Sequence, residues 1–396
     1  MKKITIVGVG MGCGSVTAEG MHAIAQAEML LGAPRLLELF ASPEQATCPA
    51  YLPDAVQKTV CETDISRFSV LVSGDTGFFS AAEKLLEAFA GAEVTLIPGI
   101  SSLNYFFSRL KRPWQEAALV SCHGRQANLV DTVRRNRLTF ALTGGNVRSL
   151  ARELDAAGFG KLDAYTGENL GSGKERIRAM SAAELSQAEI EPLTVLLVEN
   201  PAFDARVRTG IADESFFRGS VPMTKAEVRA VVASKLCVSP GDICCDIGAG
   251  TGSVTIETAL AAYNGHVYAV DPNPEAIGLV QKNARAFHIG NITSITAQAP
   301  EALDKLPVCN KAFIGGSNGR MHDIVSALIR NNPQMRIVAT AVSIETANLA
   351  LAALNEHGIK ASAVQIGVSR TRAVGGVHML IAQNPVFVIS GGRADA

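Results

Sequence analysis

Short apolar runs that end in glycine, serine or a carboxylate recur along this chain, each followed by a stretch of helical spacing. In the first half the runs are Ile4–Val7, Phe68–Val72, Val94–Ile97, Leu119–Cys122, Leu138–Leu142 and Val195–Val198. In the second they are Ile243–Cys245, Val267–Val270, Ile292–Thr296, Ala312–Ile314 and Arg336–Ala339. A strand covered on both faces reads as an unbroken apolar run, so the pattern predicts βα units on largely parallel sheets. Small and polar residues gather just past these runs, as in Ser73-Gly-Asp-Thr-Gly-Phe78, Pro98-Gly-Ile-Ser-Ser102, His123-Gly-Arg125 and Thr143-Gly-Gly145. Open α/β sheets bind their ligands at that edge. Two β-rich stretches, Ala361–Val368 and His378–Ile389, follow with no helix between them, which predicts an antiparallel pair at a sheet edge.

A length of 396 residues is more than one core accommodates and predicts two or three domains. Lys111-Arg-Pro-Trp114 breaks the rhythm and reads as a hinge between lobes of about 1–112 and 113–201. Residues 202–220 are polar and aperiodic and read as a linker. Lys225–Leu236 then has helical spacing and opens a second domain, 221–396. A net charge of −1 and 5% aromatic residues argue against a nucleic-acid-coating protein. The eight cysteines form no C-x-x-C pair and no cluster with histidine at zinc spacing, so no metal site is expected. Cys244 and Cys245 fall side by side on a strand, facing opposite ways as small hydrophobes. No run reaches membrane-spanning length and Met1-Lys-Lys leads straight into a strand, so a cytoplasmic setting without a membrane partner is expected.

Two glycine-rich turns carry candidate chemistry. Gly8-Val-Gly-Met-Gly-Cys-Gly14 misses the dinucleotide pattern in either register. Asp246-Ile-Gly-Ala-Gly-Thr-Gly252 stands between an apolar strand and Ser253–Leu260, an expected amphipathic helix. Its third small residue is missing, because Ser253 stands there, so NAD is a poor fit. Asp271 ends the next strand 19 residues past Gly252, where a carboxylate can accept bonds from both ribose hydroxyls. An adenosyl ligand without a pyrophosphate satisfies both facts: S-adenosylmethionine. Thr224 and Glu227 also fit a helix capping box.

Five segments of the first half resemble the tetrapyrrole (corrin/porphyrin) methylase family, CbiE type. They are the Gly8–Gly14 loop, Ser73-Gly-Asp-Thr-Gly-Phe-Phe-Ser80, Pro98-Gly-Ile-Ser-Ser102, Ser121-Cys-His-Gly-Arg125 and Gly167-Glu-Asn-Leu-Gly171. The second half resembles the CbiT type of class I methyltransferase. There the matching segments are Pro222-Met-Thr-Lys225, Gly248–Gly252, Asp271, Ala299-Pro-Glu-Ala302, Phe313-Ile-Gly-Gly-Ser317 and Asn384-Pro-Val386. The two in this order resemble a fused family of cobalamin biosynthesis. The fold implied is α/β throughout: a two-lobed tetrapyrrole methylase (class III) domain, then a class I Rossmann-like domain with a seven-stranded sheet.

The resemblance implies methylation of a precorrin or cobalt-precorrin at carbons 5 and 15 and decarboxylation of the carbon-12 acetate, with one S-adenosylmethionine per half. It also implies association into a homo-oligomer. For the second half it implies Thr224, Gly248, Ala249, Gly250, Thr251, Gly252, Asp271 and Ala299 around the donor. For the first half it implies Gly74, Asp75, Phe78, Ser101, Ser102, Leu142 and Leu170. Asp75 and the two serines have a second reading as helix caps. His123, Arg125, Arg370 and Arg372 lie at strand ends, where cations suit a polycarboxylate substrate. No catalytic triad is visible, and no catalytic residue is assigned. The alternative is a class I RNA or small-molecule methyltransferase with a non-catalytic N-terminal scaffold. An RNA enzyme would want a basic, aromatic-interleaved surface and an Asn/Asp-Pro-Pro-aromatic signature where Ile314-Gly-Gly-Ser317 stands.

Overall fold

A computed structural model describes residues 2–123 and 127–392; Arg125 lies outside the described residues. Two compact units form, with bounds Met1–Gln126, Arg137–Ala151 and Leu162–Pro201 for the first, and Ala127–Asn136, Arg152–Lys161 and Ala202–Ala396 for the second.

The first unit opens with a parallel sheet of β1 (Lys3–Gly8), β2 (Met29–Gly32), β3 (Ala46–Cys48), β4 (Arg67–Val72) and β5 (Glu93–Ile97), in the order β3-β2-β4-β1-β5. Val7 pairs with both Leu71 and Ile97, so β1 and its two neighbours end level. Ile4, Ile6, Phe68 and Val70 pack on one face, and Val7, Leu30, Leu71 and Ile97 on the other. Burial on both faces is why these strands carry no polar alternation.

Helix Ser102–Arg109 leads out of this sheet. Its Leu103, Phe106 and Phe107 pack instead with Phe140, Val195 and Leu197 of a second sheet, beyond the expected hinge at Lys111–Trp114. That sheet holds β6 (Ala117–Ser121), β7 (Leu138–Leu142), β8 (Asp163–Glu168), β9 (Arg176–Ser181) and β10 (Thr194–Glu199), ordered β6-β7-β10-β8-β9. Only β6 and β7 are parallel; β7–β10, β10–β8 and β8–β9 are antiparallel. This departs from a uniform βα rhythm, because only a loop and no crossover helix joins β8 to β9.

The second unit is built on β11 (Ile243–Ile247), β12 (His266–Asp271), β13 (Ile292–Thr296), β14 (Lys311–Ile314), β15 (Arg336–Ala341), β16 (Ser362–Ile366) and a later strand, β19 (Val386–Gly391). With β17 (Ser369–Val374) and β18 (Val377–Ala382) forming a separate antiparallel hairpin, the order is β13-β12-β11-β14-β15-β19-β16. The first five strands are parallel, and β19 runs antiparallel to both β15 and β16. The antiparallel ending is therefore present, but His378–Ile389 is two strands, and only the second joins the large sheet.

Cys244 and Cys245 are buried in clusters on opposite faces of β11, and burial pushes the Cys244 thiol up. Helix Ser253–Ala261 is not amphipathic as expected. Every residue from Ser253 to Leu260 is buried, its polar side chains included.

Candidate functional site

In the second unit the carboxyl ends of β11, β12, β13 and β14 frame a cleft of about 340 Å³. The turn after β11 forms its floor. Gly248, Gly250 and Gly252 hold φ of 71°, 56° and 78°, a region that side chains with a Cβ rarely adopt. Space imposes glycine as well. A Cβ on Gly248 would stand 2.6 Å from the Gly316 nitrogen, and one on Gly250 would stand 2.8 Å from the Pro222 carbonyl oxygen. The cleft side of Gly250 is set by Asp271, whose Oδ2 accepts from the Gly250 N–H at 3.0 Å and whose Oδ1 accepts from Asn273 N–H at 2.9 Å. Each carboxylate oxygen keeps a lone pair for a further donor.

Beneath the turn lies Asp246. One oxygen accepts from the Thr255 hydroxyl at 2.5 Å, and the other is buried without a partner. Burial pushes this carboxyl up to about 7 against the Thr255 bond, and the Asp271 charge adds to the rise. The buried polar face of helix Ser253–Ala261 is thus used: Thr255 serves Asp246, and Glu257 binds elsewhere.

Residues 202–220 are not wholly a linker. From Gly210 onward the segment is fastened to this unit. Glu257 accepts from the N–H groups of Gly210 and Ile211 and from Arg229 Nε. Arg229, itself 1% exposed, also donates to Asp213 at 2.9 Å and to the carbonyls of Ile211 and Thr224. Burial works to raise the Asp213 pKa, but the bonds from Arg229 and Arg370 outweigh it and hold the carboxyl below its usual range. Further on, Asn283 accepts from Phe217 N–H and donates to the carbonyls of Phe217 and Thr251, and Glu275 accepts from both the N–H and the hydroxyl of Ser220. Val221, Pro222 and Thr224 then reach the cleft wall.

The capping box at Thr224 and Glu227 does not form. Lys225 is the N-cap of helix Ala226–Leu236 with no side-chain bond, while Asp213 accepts from Ala226 N–H at 3.0 Å. Glu227 turns to Arg370, at 2.6 and 3.1 Å. Arg370 also donates to Asp213 at 3.0 Å, so its charge is met by two carboxylates and it is not a free anion clamp. Arg372, on the hairpin, is exposed.

In the first unit three strand ends meet backbone to backbone. Gly10 and Gly74 exchange N–H···O bonds of 3.0 and 2.9 Å, and a Cβ on Gly99 would lie 2.3 Å from the Gly74 carbonyl oxygen. Asp75 accepts from Gly77 N–H at 2.8 Å and from Gly99 N–H at 3.1 Å, tying the loop after β4 to the loop after β5. The N-terminal glycine run therefore backs the Gly74–Asp75 loop and is part of the same edge. Ser101 caps helix Ser102–Arg109 by accepting from Asn104 N–H at 3.1 Å. Phe78, Leu142 and Leu170 share one apolar cluster, and His123 stands exposed beside Gly144, next to the end of β7.

Two unlike strand-end sites on one chain narrow the comparison. Residues 3–186 match the tetrapyrrole (corrin/porphyrin) methylases, and residues 215–391 match the precorrin methyltransferase domain. A Sinorhizobium protein, precorrin-6Y C(5,15)-methyltransferase (decarboxylating), is 32% identical over 388 residues, which cover 94% of this chain and 92% of that one. The chain belongs to the precorrin-6Y C(5,15)-methyltransferase family. A Pyrobaculum calidifontis protein, named a probable cobalt-precorrin-6B C(15)-methyltransferase (decarboxylating), is 40% identical over 184 residues, covering 46% of this chain and 94% of that one. A crystal structure of precorrin-6Y C5,15-methyltransferase from Geobacter metallireducens is 36% identical, covers 47% of this chain and 97% of that one, and has a TM-score of 0.45.

For a chain of the precorrin-6Y C(5,15)-methyltransferase family, the cleft brings together Thr224, Gly248, Ala249, Gly250, Asp271 and Ala299, all six of which line it. Thr251 and Gly252 do not. Gly252 packs on Val280, and the Thr251 hydroxyl is buried with no partner. These two shape the turn from behind. Asn273, Gln298 and Asn318 also line the cleft, outside the segments that the sequence marks, as does Ser317, at the end of the marked segment Phe313–Ser317. Each of these follows shortly after a strand, the same signal that marks the other loops.

Proposed function

We propose that this chain methylates a precorrin or cobalt-precorrin at carbons 5 and 15, using S-adenosylmethionine, and removes carbon dioxide from the carbon-12 acetate. Likeness to the Sinorhizobium enzyme across both halves carries this reading. Each half takes one donor, the second in the cleft over Gly248–Gly250. The fit rests on the backbone left bare by the glycines, on Asp271 at the tip of β12, and on a volume within the roughly 300–1,000 Å³ of small-molecule sites. In the first half Gly74, Asp75, Phe78, Ser101, Ser102, Leu142 and Leu170 surround the donor. There Asp75 acts through the Gly99 bond that holds two loops in place.

The donor supplies a methyl group on a sulfonium, which is already a good leaving group. The chain's own task is alignment of the nucleophilic carbon with that methyl. Meso carbons of a reduced tetrapyrrole are enamine-like and need no strong base. By family resemblance the first half serves carbon 5, and the second serves carbon 15 and the decarboxylation. Holding the acetate out of water would assist loss of carbon dioxide. His123, exposed after β6, and Arg372, exposed on β17, are the remaining described candidates for the substrate carboxylates.

The chain works as a homo-oligomer. Val374, Val377, Met379 and Ile381 are exposed on one face of the β17–β18 hairpin and Leu380 on the other, which supports that reading. No described helix is long and apolar enough to cross a membrane. The test is mass spectrometry of precorrin and cobalt-precorrin incubated with the protein and S-adenosylmethionine. Gain of two methyl groups with loss of carbon dioxide is expected. No mass change with either substrate, from folded protein that binds the donor, overturns the reading.

A further inference from the structure

The connection into the second half supplies part of the cleft wall, and it is held there by polar clamps with little apolar burial. Between Phe217 and Pro222 there is no helix or strand, and Phe217, Arg218, Gly219, Ser220 and Pro222 are all exposed. Two side chains of helix Pro274–Ala286 bind the backbone of this stretch, and a third, Lys282, stands 4.0 Å over the Phe217 ring. Asn283, fully buried, makes three bonds: two to the Phe217 backbone at 2.8 and 3.1 Å, and one to the Thr251 carbonyl at 2.8 Å. A single amide thus joins the strap to the glycine turn. Glu275, in the first turn of the helix that follows Asp271 and exposed, accepts from Ser220 N–H at 2.8 Å and from its hydroxyl at 2.7 Å. The result is that the Pro222 carbonyl occupies the space a side chain at Gly250 would need, and Val221 and Pro222 line the cleft.

We propose that Glu275 and Asn283 are positioning residues for the donor: they fasten the Phe217–Pro222 strap so that its backbone closes one wall of the cleft. The proposal rests on the reading that this cleft binds S-adenosylmethionine. A ligand touching Val221 and Pro222 finds that wall only when the strap is fastened, so ligand binding and fastening stabilise one another. Glu275 is the sharper probe, because an exposed side chain on a helix surface can be removed without unfolding the unit.

The experiment uses the full chain, S-adenosylhomocysteine as ligand, and two readouts: calorimetric affinity, and the rate of tryptic cleavage at the Arg218–Gly219 bond. In the wild type, ligand slows that cleavage. Glu275→Ala removes two charge-assisted bonds and is expected to speed cleavage and weaken one binding event, each by about five- to tenfold, with an unchanged melting temperature. Glu275→Gln keeps an oxygen for Ser220 N–H and restores both values. Asn283→Ala moves both readouts in the same direction as Glu275→Ala. Wild-type affinity and a ligand-independent cleavage rate in Glu275→Ala overturn the proposal, provided Asp271→Ala still abolishes that binding event. If no binding event responds to Asp271→Ala, the donor reading of the cleft fails, and the proposal falls with it.

Discussion

Asp271 Oδ2 accepts the Gly250 N–H at 3.0 Å, which joins the tip of the second strand to the turn after the first. Replacing Asp271 by alanine removes both that tie and the proposed acceptor for a ribose. Hydrogen bonds to charged groups contribute about 1.5–3 kcal/mol, so donor affinity at this cleft falls by roughly 10- to 100-fold. Calorimetry with S-adenosylhomocysteine reads this as loss of one of two binding events per chain. Two undisturbed events in Asp271→Ala would mean that the ribose assignment is wrong.

Gly248→Ala meets a backbone wall at Gly316 and a left-handed φ of 71°. The conformation alone costs about 1–3 kcal/mol. The urea midpoint of the second unit should drop and donor binding there should vanish, whereas Gly278→Ala, inside a helix with nothing within reach of a Cβ, leaves donor binding intact and raises the midpoint, because alanine favours the helix by about 1 kcal/mol.

Arg229 neutralises Asp213 and Glu257, all three fully enclosed. Arg229→Met leaves the buried Glu257 without its cation and leaves Asp213 with Arg370 alone. Breaking such a group costs about 3–5 kcal/mol, read by thermal or urea unfolding. A loss below 1 kcal/mol would show that water enters the network.

Asp246 gives a pH dependence of definite sign. Its carboxyl is raised to about 7 in the folded chain from an ordinary 3.8. The unfolded chain therefore loses its proton first, so stability falls as pH rises from about 4 to about 7 and levels off above that. Asp246→Asn lacks this contribution. The stability of the variant minus that of the wild type should grow across the window, and a difference independent of pH would contradict the buried protonated form.

Leu380 and Val377 are 70% and 61% exposed on the β17–β18 hairpin. Leu380→Lys combined with Val377→Lys should lower the sedimenting mass of the protein without changing its melting profile. An unchanged mass would move the association surface elsewhere.

Much of this architecture is legible in local pattern. Leu138–Leu142 is a strand over the length its apolar run predicts, because it lies inside its sheet between β6 and β10; Ile292–Thr296 matches as well, although it is the edge strand of its sheet. The three glycines of 248–252 are legible because a left-handed turn admits few other residues. What escaped depends on partners distant in sequence. Arg370 looks like a free cation until Glu227 and Asp213, 143 and 157 residues away, are brought to it. Thr224 and Glu227 have capping spacing, yet Asp213 takes the cap, an acceptor no local window contains. The strap reads as linker because its anchors, Glu275 and Asn283, sit on a helix whose spacing shows only its own apolar stripe. Helix Ser253–Ala261 reads as amphipathic because its polar residues are matched by buried partners that the sequence does not show.

The position of β19 has a consequence for how the protein is made. It is the last of the seven strands of its sheet to be synthesised, yet it lies between β15 and β16. Until residues 386–391 leave the ribosome, β15 lacks a neighbour on one side and β16 has none at all. The first half can close its sheets during translation, while the second must hold an open sheet edge until its final strand arrives. A nascent chain stalled before residue 386 would therefore be a client for chaperones, and ribosome-profiling or arrest-peptide experiments should register the second half's folding force only after that strand is clear.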